Sequence, residues 1–483
     1  MKKILATLAA AALLLAGCSS GLASPGGQTG TVISLTGSGA EISGGGASVK
    51  DSVVTISAAG TYTVSGRLDD GRIVIDTGDE AMNVTLILDG ADVCCLSGAA
   101  IYVQQAKNTY IQLAEGTENK LTAGEESAAA ATPDEAAGEA AVFSEDDLDI
   151  SGEGALSIRG YIGNGVTCKD DLTVSGGTLT VAAANNGLKG SESVEIRGGA
   201  ITVAAGNDGV KTSSAEKAGK GYISISGGTL AVTAGGDGVS AVTELNVGGG
   251  SIAIKATGDP ANVSSKAMKA ETALNISGGT LTLEAVDHAL HSAADVTVSG
   301  GTVSALSSAG KGVEAHGNVQ LSGGELALDS AKDGIGADGN VEISGGSLKV
   351  VSAKDGIQAG ADNSSTGDID ILGGAVSVCA QKLAMKSGGR AQISGGELFA
   401  VAGTDKADVF SGSSAQAWLV CSYSGAAGST AAISAGGTTL AEINARFAYS
   451  SVLFASSRLA AGTEYTISGG AAETTATLPD RAA

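Results

Sequence analysis

A ten-residue phrase of the form V-x-I-S-G-G-T-L-x-V recurs through the middle of the chain. It reads LTVSGGTLTV at Leu172–Val181, VEIRGGAITV at Val194–Val203, ISISGGTLAV at Ile223–Val232 and LNISGGTLTL at Leu274–Leu283. It continues as VQLSGGELAL at Val319–Leu328 and VEISGGSLKV at Val341–Val350. The first glycine of each pair falls at 176, 198, 227, 249, 278, 300, 323, 345, 373 and 395, giving steps of 22, 29, 22, 29, 22, 23, 22, 28 and 22. A fixed period of this kind marks a stacked-repeat architecture and constrains the fold more than any other feature. The long steps carry six or seven extra residues in polar runs at Ser213–Gly219, Gly258–Ser264 and Asp362–Gly367. Insertions that leave the flanking pattern in phase belong to loops between fixed coils.

Within a unit the apolar residues alternate. Around Gly198 they are Val194, Ile196, Ile201, Val203 and Val210; around Gly345 they are Val341, Ile343, Leu348, Val350 and Ile357. Period-2 alternation with a β-branched bias predicts two short strands bent at Gly-Gly, then a third piece beyond a second glycine. A propeller blade needs about forty residues, and the leucine-rich phrase is absent. The expected fold is therefore all-β, a parallel β-helix of about 22 residues per coil. Ten coils with nine steps at ~4.8 Å give a rod of roughly 43 Å. Composition agrees: 75 glycines in 483 residues with only 4 prolines and 3% aromatics suit bends and an aliphatic core, not collagen or a disordered polymer.

The repeat divides the chain. Residues 31–160 read as irregular coils, with strand-like pieces at Val53–Ile56, Tyr62–Val64, Ile73–Ile75, Val84–Leu88, Tyr110–Leu113 and Leu156–Ile158, and an acidic loop near 124–141. Residues 161–410 form the regular coils. After about 411 the phrase disappears, and residues 415–483 keep strand-like pieces that suit a small β-rich C-terminal cap blocking the open end. At the other end, Lys2 and Lys3 precede an apolar run from Ile4 to Leu15, too short to span a bilayer, followed by Leu-Ala-Gly-Cys ending at Cys18. Residues 1–18 resemble a bacterial lipoprotein signal, which implies cleavage before Cys18 and lipid attachment to its thiol. Residues 19–30 then read as a flexible tether. The expected location is extracytoplasmic, anchored to the membrane at the cell surface.

The remaining cysteines, Cys94, Cys95, Cys168, Cys379 and Cys421, are odd in number and widely spaced, so they read as small buried hydrophobes rather than a disulfide framework. A net charge of −23 repels phosphate backbones, and nucleic-acid binding is not expected.

Stacking turns sequence columns into surface ladders. The position before the second glycine reads Asn164, Asn186, Asp208, Asp237, Lys266, His288, Lys311, Asp333, Asp355 and Leu383. Adjacent carboxylates about 5 Å apart need a partner. A Ca²⁺ ion held by Asn164, Asn186, Asp208 and Asp237, or by Asp333 and Asp355, is one reading. The other is that Asn-Gly and Asp-Gly are favoured turn dipeptides, with Lys332 and Lys354 neutralising the lower pair. Three residues on, Lys189, Lys211, Lys269, His291 and Lys386 form a second column. Lys189 and Lys211 are candidates to hold an anionic sugar, against the plainer role of a solvated face. The three histidines, His288, His291 and His316, fall in different turn columns with no evident further ligand, so metal binding there is not expected.

The phrases SAAGTYTVSG (Ser57–Gly66), LILDG (Leu86–Gly90), AAIYV (Ala99–Val103), AEGTENKL (Ala114–Leu121) and LDISGEG (Leu148–Gly154), with the S-G-G-T-L…D-G-V repeat, resemble the bacterial carbohydrate-binding, pectate-lyase-like β-helix family, found as exported lipoproteins. The resemblance runs from about residue 31 to the end. It implies a right-handed parallel β-helix, calcium sites, and binding of plant polysaccharides such as polygalacturonate (pectin) or cellulose without established catalysis. The family's Asp-Gly turns match Asp208, Asp237, Asp333 and Asp355, whereas Lys266, His288, Lys311 and Leu383 depart from them. The expected function is a cell-surface binding protein for acidic polysaccharide, calcium-assisted and without catalytic residues. The alternatives are a calcium-dependent polysaccharide lyase using Lys189, Lys211 or Arg197 as base, and a non-enzymatic adhesin or surface rod.

Overall fold

The alternating β-branched residues fold as strands that turn one apolar face inward. In the coil around Gly198, Val194, Ile196, Ile201, Val203 and Val210 are each at most 1% exposed, and the equivalent five around Gly345 are equally buried. The computed structural model describes residues 30–124, 140–259, 261, 263–361, 366–404, 410, 414–469 and 472–478. The leader with Cys18, the tether up to residue 29 and the acidic run from 125 to 139 lie outside the described residues.

Each regular coil contributes three strands, for example Ser193–Ile196, Ala200–Ala205 and Val210–Thr212. Stacked coil on coil, these make three parallel ladders, here called the first, second and third in chain order. The register reproduces the glycine spacing. Leu179 pairs with Ile201, then Leu230, Ile252, Leu281, Val303, Leu326, Leu348, Val376 and Leu398, in steps of 22, 29, 22, 29, 22, 23, 22, 28 and 22. The insertions leave the ladders in phase. Among the described residues the third ladder runs through 15 strands, all parallel except Ala47–Lys50 at its start. Its 14 parallel strands make 13 steps, roughly 62 Å at 4.8 Å each. The rod is longer than the repeat alone predicted because described strands between Val53 and Cys168 also stack in the same ladder.

The glycine pair is required by packing as well as by the bend. Gly199 has φ +88°, and a Cβ there would lie 2.9 Å from the carbonyl oxygens of both Gly176 and Gly177 in the preceding coil.

Both ends are closed. At the N-terminal end Thr31–Gly37 pairs antiparallel with Ala40–Ser43, and Ala47–Lys50 pairs antiparallel with Val53–Ile56. At the other end Tyr449–Ser456 pairs antiparallel with the last second-ladder strand, Glu397–Ala402, and with Trp418–Gly425. A separate antiparallel sheet of Thr430–Ala435, Thr438–Asn444, Glu464–Ser468 and Thr474–Thr477 packs beside it. The outer face of the second ladder turns apolar to receive this cap: Cys379, Phe399 and Val401 point outward yet are buried against Leu419, Val452 and Phe454.

The described cysteines form no disulfide; Cys95, Cys168 and Cys379 are buried, and Cys94, its neighbour on a strand, faces the opposite side and is half-buried. Burial pushes the Cys421 thiol up to about 11, which leaves it inert as a nucleophile.

Candidate functional site

The asparagine and aspartate column lies at the corner that enters the third ladder, and its side chains stitch coil to coil. Asn164 Oδ1 accepts the Asn186 amide N–H at 2.9 Å, Asn186 Oδ1 accepts that of Asp208 at 3.2 Å, and Asp208 Oδ1 accepts that of Asp237 at 2.8 Å. The chain of bonds continues from Asp237 Oδ1 to the Lys266 amide at 2.8 Å, from Asp333 to Asp355 at 3.2 Å, and from Asp355 to Leu383 at 3.1 Å. All six proposed calcium ligands are buried, at 2–8% exposure. A buried acceptor facing a buried amide is obligatory bookkeeping for a coil corner.

This use of the oxygens bears on calcium. Asn164 Oδ1 also takes the Asn186 side-chain amide at 3.0 Å, and Asn186 Oδ1 takes that of Asn207 at 3.1 Å. The second oxygen of Asp208 holds Lys211 Nζ at 2.6 Å, an ammonium standing where a cation would. Asp237 Oδ1 holds Ser264 Oγ at 2.6 Å. The upper four residues therefore do not fit a calcium site. In the lower pair, burial pushes the Asp355 carboxyl up, the Leu383 amide opposes it, Asp333 adds to it, and Lys386 and Lys382 lower it. Of the second column, Lys211 is bound to Asp208 and Lys269 to Glu271 at 2.8 Å, while Lys189 sits beside Lys211 in the ladder. Lys211 and Lys269 thus neutralise the protein's own carboxylates.

A different polar site emerges on the outer face of the first ladder, near the N-terminal end of the regular coils. Parallel register brings Tyr110, Asp149, Thr173 and Glu195 into one column and places Asp147, Asp171, Ser193 and Tyr222 in the neighbouring one. Of these, Asp147, Asp149, Asp171, Thr173, Ser193 and Glu195 line a pocket together with Asn108 and Arg197. Most of its members are tied. Asp147 accepts from Asn108 Nδ2 at 3.1 Å and from the Asp171 amide at 3.2 Å. Asp171 accepts from Ser193 Oγ at 2.7 Å and pairs with Lys220. Glu195 takes Tyr222 O–H on one oxygen at 2.6 Å and Arg197 Nε on the other at 2.9 Å. The Ser213–Gly219 insertion folds back here, and its Lys217 pairs with Glu192.

Asp149 is the exception. Among the described residues its carboxylate has no hydrogen-bond partner. Burial pushes its pKa up, the Arg197 charge opposes this, and Asp147 and Glu195 push it higher. Arg197, the base candidate, is held as a cation instead: its hydrogen bond to Glu195 raises its pKa. Sequence reasoning missed this site because Asp147 and Asp149 precede the regular repeat. The one visible signal was Arg197 standing where most other units have serine.

The histidines also come together, against expectation. Register places His291 beside Glu314, and His316 follows two residues later. His291, Glu314 and His316 bring potential ligand atoms within 4.8 Å of one another. Glu314, which stands at the ladder position of His291 one coil on, carries the third of these atoms.

Comparison with known proteins supplies a family. The profile described as "Carbohydrate-binding domain-containing protein" matches residues 50–312 and 305–478. A carbohydrate-binding domain-containing protein from Acetivibrio thermocellus is 35% identical over 138 residues, 29% of this chain and 48% of that protein, so the match spans about half the relative's length. A solved polysaccharide lyase-like protein from C. thermocellum, a gadolinium derivative, is 33% identical and aligns over 51% of this chain and 97% of its own at a TM-score of 0.46.

Proposed function

The chain belongs to the carbohydrate-binding domain family, and from that premise we propose that it is a non-catalytic binding protein for acidic polysaccharide, gripping the glycan in the first-ladder pocket around Asp149. The observation that carries this reading is the unpartnered, half-buried Asp149 carboxylate. Half-buried carboxylate oxygens that hold no protein donor are available to accept from a ligand. Sugar hydroxyls donate to carboxylates, and Arg197 and Asn108 supply donors facing the same space. With 3% aromatics the chain offers few stacking platforms, which favours recognition through charge and hydrogen bonds.

A uronate polymer brings its own negative charge to this acidic pocket, so calcium enters the proposal here rather than at the buried column. Asp149, the carboxylate that holds no protein donor, is the residue to hold it, with the uronate's own oxygens completing the shell. Calcium would neutralise the repulsion between protein and uronate. Arg197, kept charged by its hydrogen bond to Glu195, acts here as a donor to the sugar and not as a base.

Isothermal titration with oligogalacturonate and with cello-oligosaccharide, each with calcium and with EDTA, tests the proposal. We expect heat with oligogalacturonate that EDTA removes and Asp149→Ala abolishes. Binding of cello-oligosaccharide alone, insensitive to EDTA, would replace the uronate and calcium parts with a neutral glycan. No heat with any glycan, or full binding by Asp149→Ala, overturns the site. Absence of unsaturated uronide absorbance on long incubation is expected of a binder, and its growth would restore the lyase.

The same reading places the protein outside the cytoplasm, tethered through lipid on Cys18. Mass spectrometry of the mature N-terminal peptide checks this: a diacylglyceryl-modified Cys18 is expected, and Cys18→Ala should release the protein from membranes.

A further inference from the structure

We propose that His291, Glu314 and His316 form a binding site for a divalent first-row transition metal such as Zn²⁺, separate from the glycan pocket. Two imidazoles and a carboxylate are a donor set suited to zinc and its neighbours and poorly suited to calcium, which takes oxygen ligands. They are the right types in the right place because the coil stack puts His291 of one coil beside Glu314 of the next, at the strand ends of the third ladder.

The surroundings orient the ligands. Asp338 Oδ2 lies 2.9 Å from His316 Nδ1, and a carboxylate on that nitrogen frees Nε2 for a metal. The Lys311 amide donates to His288 Nδ1 at 3.0 Å, so the His288 proton sits on Nε2. From there it is donated to Glu314 Oε2 at 2.8 Å. His288 thus positions Glu314 and is not itself a ligand. His291 Nδ1 is 3.0 Å from the same Oε2, and its ring meets the His316 ring edge-on at 5.7 Å between centroids.

Zinc bonds of about 2.1 Å place tetrahedral ligand atoms about 3.4 Å apart. The observed spread of up to 4.8 Å needs a modest closure, and the His316 side chain, 53% exposed, is free to make it. A metal would replace the His291–Glu314 hydrogen bond and keep the bonds from His288 and Lys311. The nearby ammonium groups are already matched: Lys266 to Asp287 at 2.9 Å, Lys269 to Glu271, and Lys311 to Glu314 at 3.3 Å. Because His316 is open to solvent, the bound ion would keep water-filled positions.

Titration of the metal-free full chain with Co²⁺, followed by visible absorption, tests the site, with Cu²⁺ electron paramagnetic resonance to count nitrogens. We expect saturation at one Co²⁺ per chain and hyperfine coupling to two imidazole nitrogens. His291→Gln and His316→Gln should each abolish the spectrum, and Asp338→Asn should weaken binding about 10–100-fold. Circular dichroism of each variant checks folding. The proposal falls if the wild type shows no stoichiometric Co²⁺ spectrum, or if the His291→Gln/His316→Gln double variant binds as well; the cluster is then a network of charge-assisted hydrogen bonds alone. Copper coupling without nitrogen in the wild type overturns it independently of any variant.

Discussion

Asp208 joins two coils through one carboxylate: Oδ1 accepts the amide of Asp237, 29 residues away, at 2.8 Å, and Oδ2 holds Lys211 at 2.6 Å. The Asp-Gly pattern is therefore a load path along the rod. Asp208→Ala leaves the buried Asp237 amide without an acceptor and should cost about 1–3 kcal/mol. Asp208→Asn keeps the amide bond and gives up the ion pair, so its urea midpoint should lie between those of the wild type and the alanine variant. Equal midpoints for Asn and Ala would mean that the ion pair, not the amide, carries the stabilisation.

The glycine pairs offer a matched comparison. Gly199 and Gly219 both have positive φ, +88° and +76°, but a Cβ meets two backbone oxygens at 2.9 Å in the first and nothing within 4 Å in the second. Conformational strain of ~1–3 kcal/mol applies to both alanine variants. Only Gly199→Ala adds a clash with backbone that cannot move without shifting the stack. Gly199→Ala should therefore be the more destabilising in urea unfolding, and parity between them would show that the coils separate easily.

Two carboxyls should respond to pH in opposite directions. Burial, with Asp147 and Glu195, raises the Asp149 pKa despite Arg197. The native state then holds a proton that the unfolded chain releases, so this group's contribution falls as pH rises from its unfolded value near 3.9 to its folded one. For Glu314, burial raises the pKa but hydrogen bonds from His288 and His291 and the charge of Lys311 outweigh it, leaving it well below the usual range. Its contribution is complete above about 4.3 and is lost as pH falls toward the folded value. Asp149→Asn should raise the unfolding midpoint at pH 7 and converge with the wild type near pH 3. Glu314→Gln should lower it at pH 7, with the gap closing in acid.

The fold was legible because its rules are local. Val194, Ile196, Ile201, Val203 and Val210 declare their inward direction by alternation, and the glycine steps state the register outright. The candidate site was not, because it depends on neighbours the repeat does not announce. Asp149 meets Tyr110, 39 residues away, and Thr173, 24 residues away, in coils of irregular length. His291 reaches Glu314 across the 23-residue step. Asp208 looked like a turn residue or a metal ligand because its true partner, the Asp237 amide, belongs to the next coil. The N-terminal hairpins, from Thr31 to Ile56, carry no repeat signal at all.

The C-terminal cap hangs on a few aromatic contacts. Phe454, fully buried, pairs in register with Phe399 on the last second-ladder strand, their rings edge-on at 5.9 Å, and Arg458 lies over the Phe454 ring. Phe454→Ala should cost about 3–5 kcal/mol by cavity formation, and that loss falls on the strand that covers the final open ladder edge. An uncovered edge of unpaired amides and carbonyls recruits other chains. Size-exclusion chromatography with light scattering should show the variant associating as temperature rises, below the unfolding of the coils themselves. If the variant stays monomeric up to global unfolding, the cap and the rod unfold as one unit, and the ladder edge is protected by more than this contact.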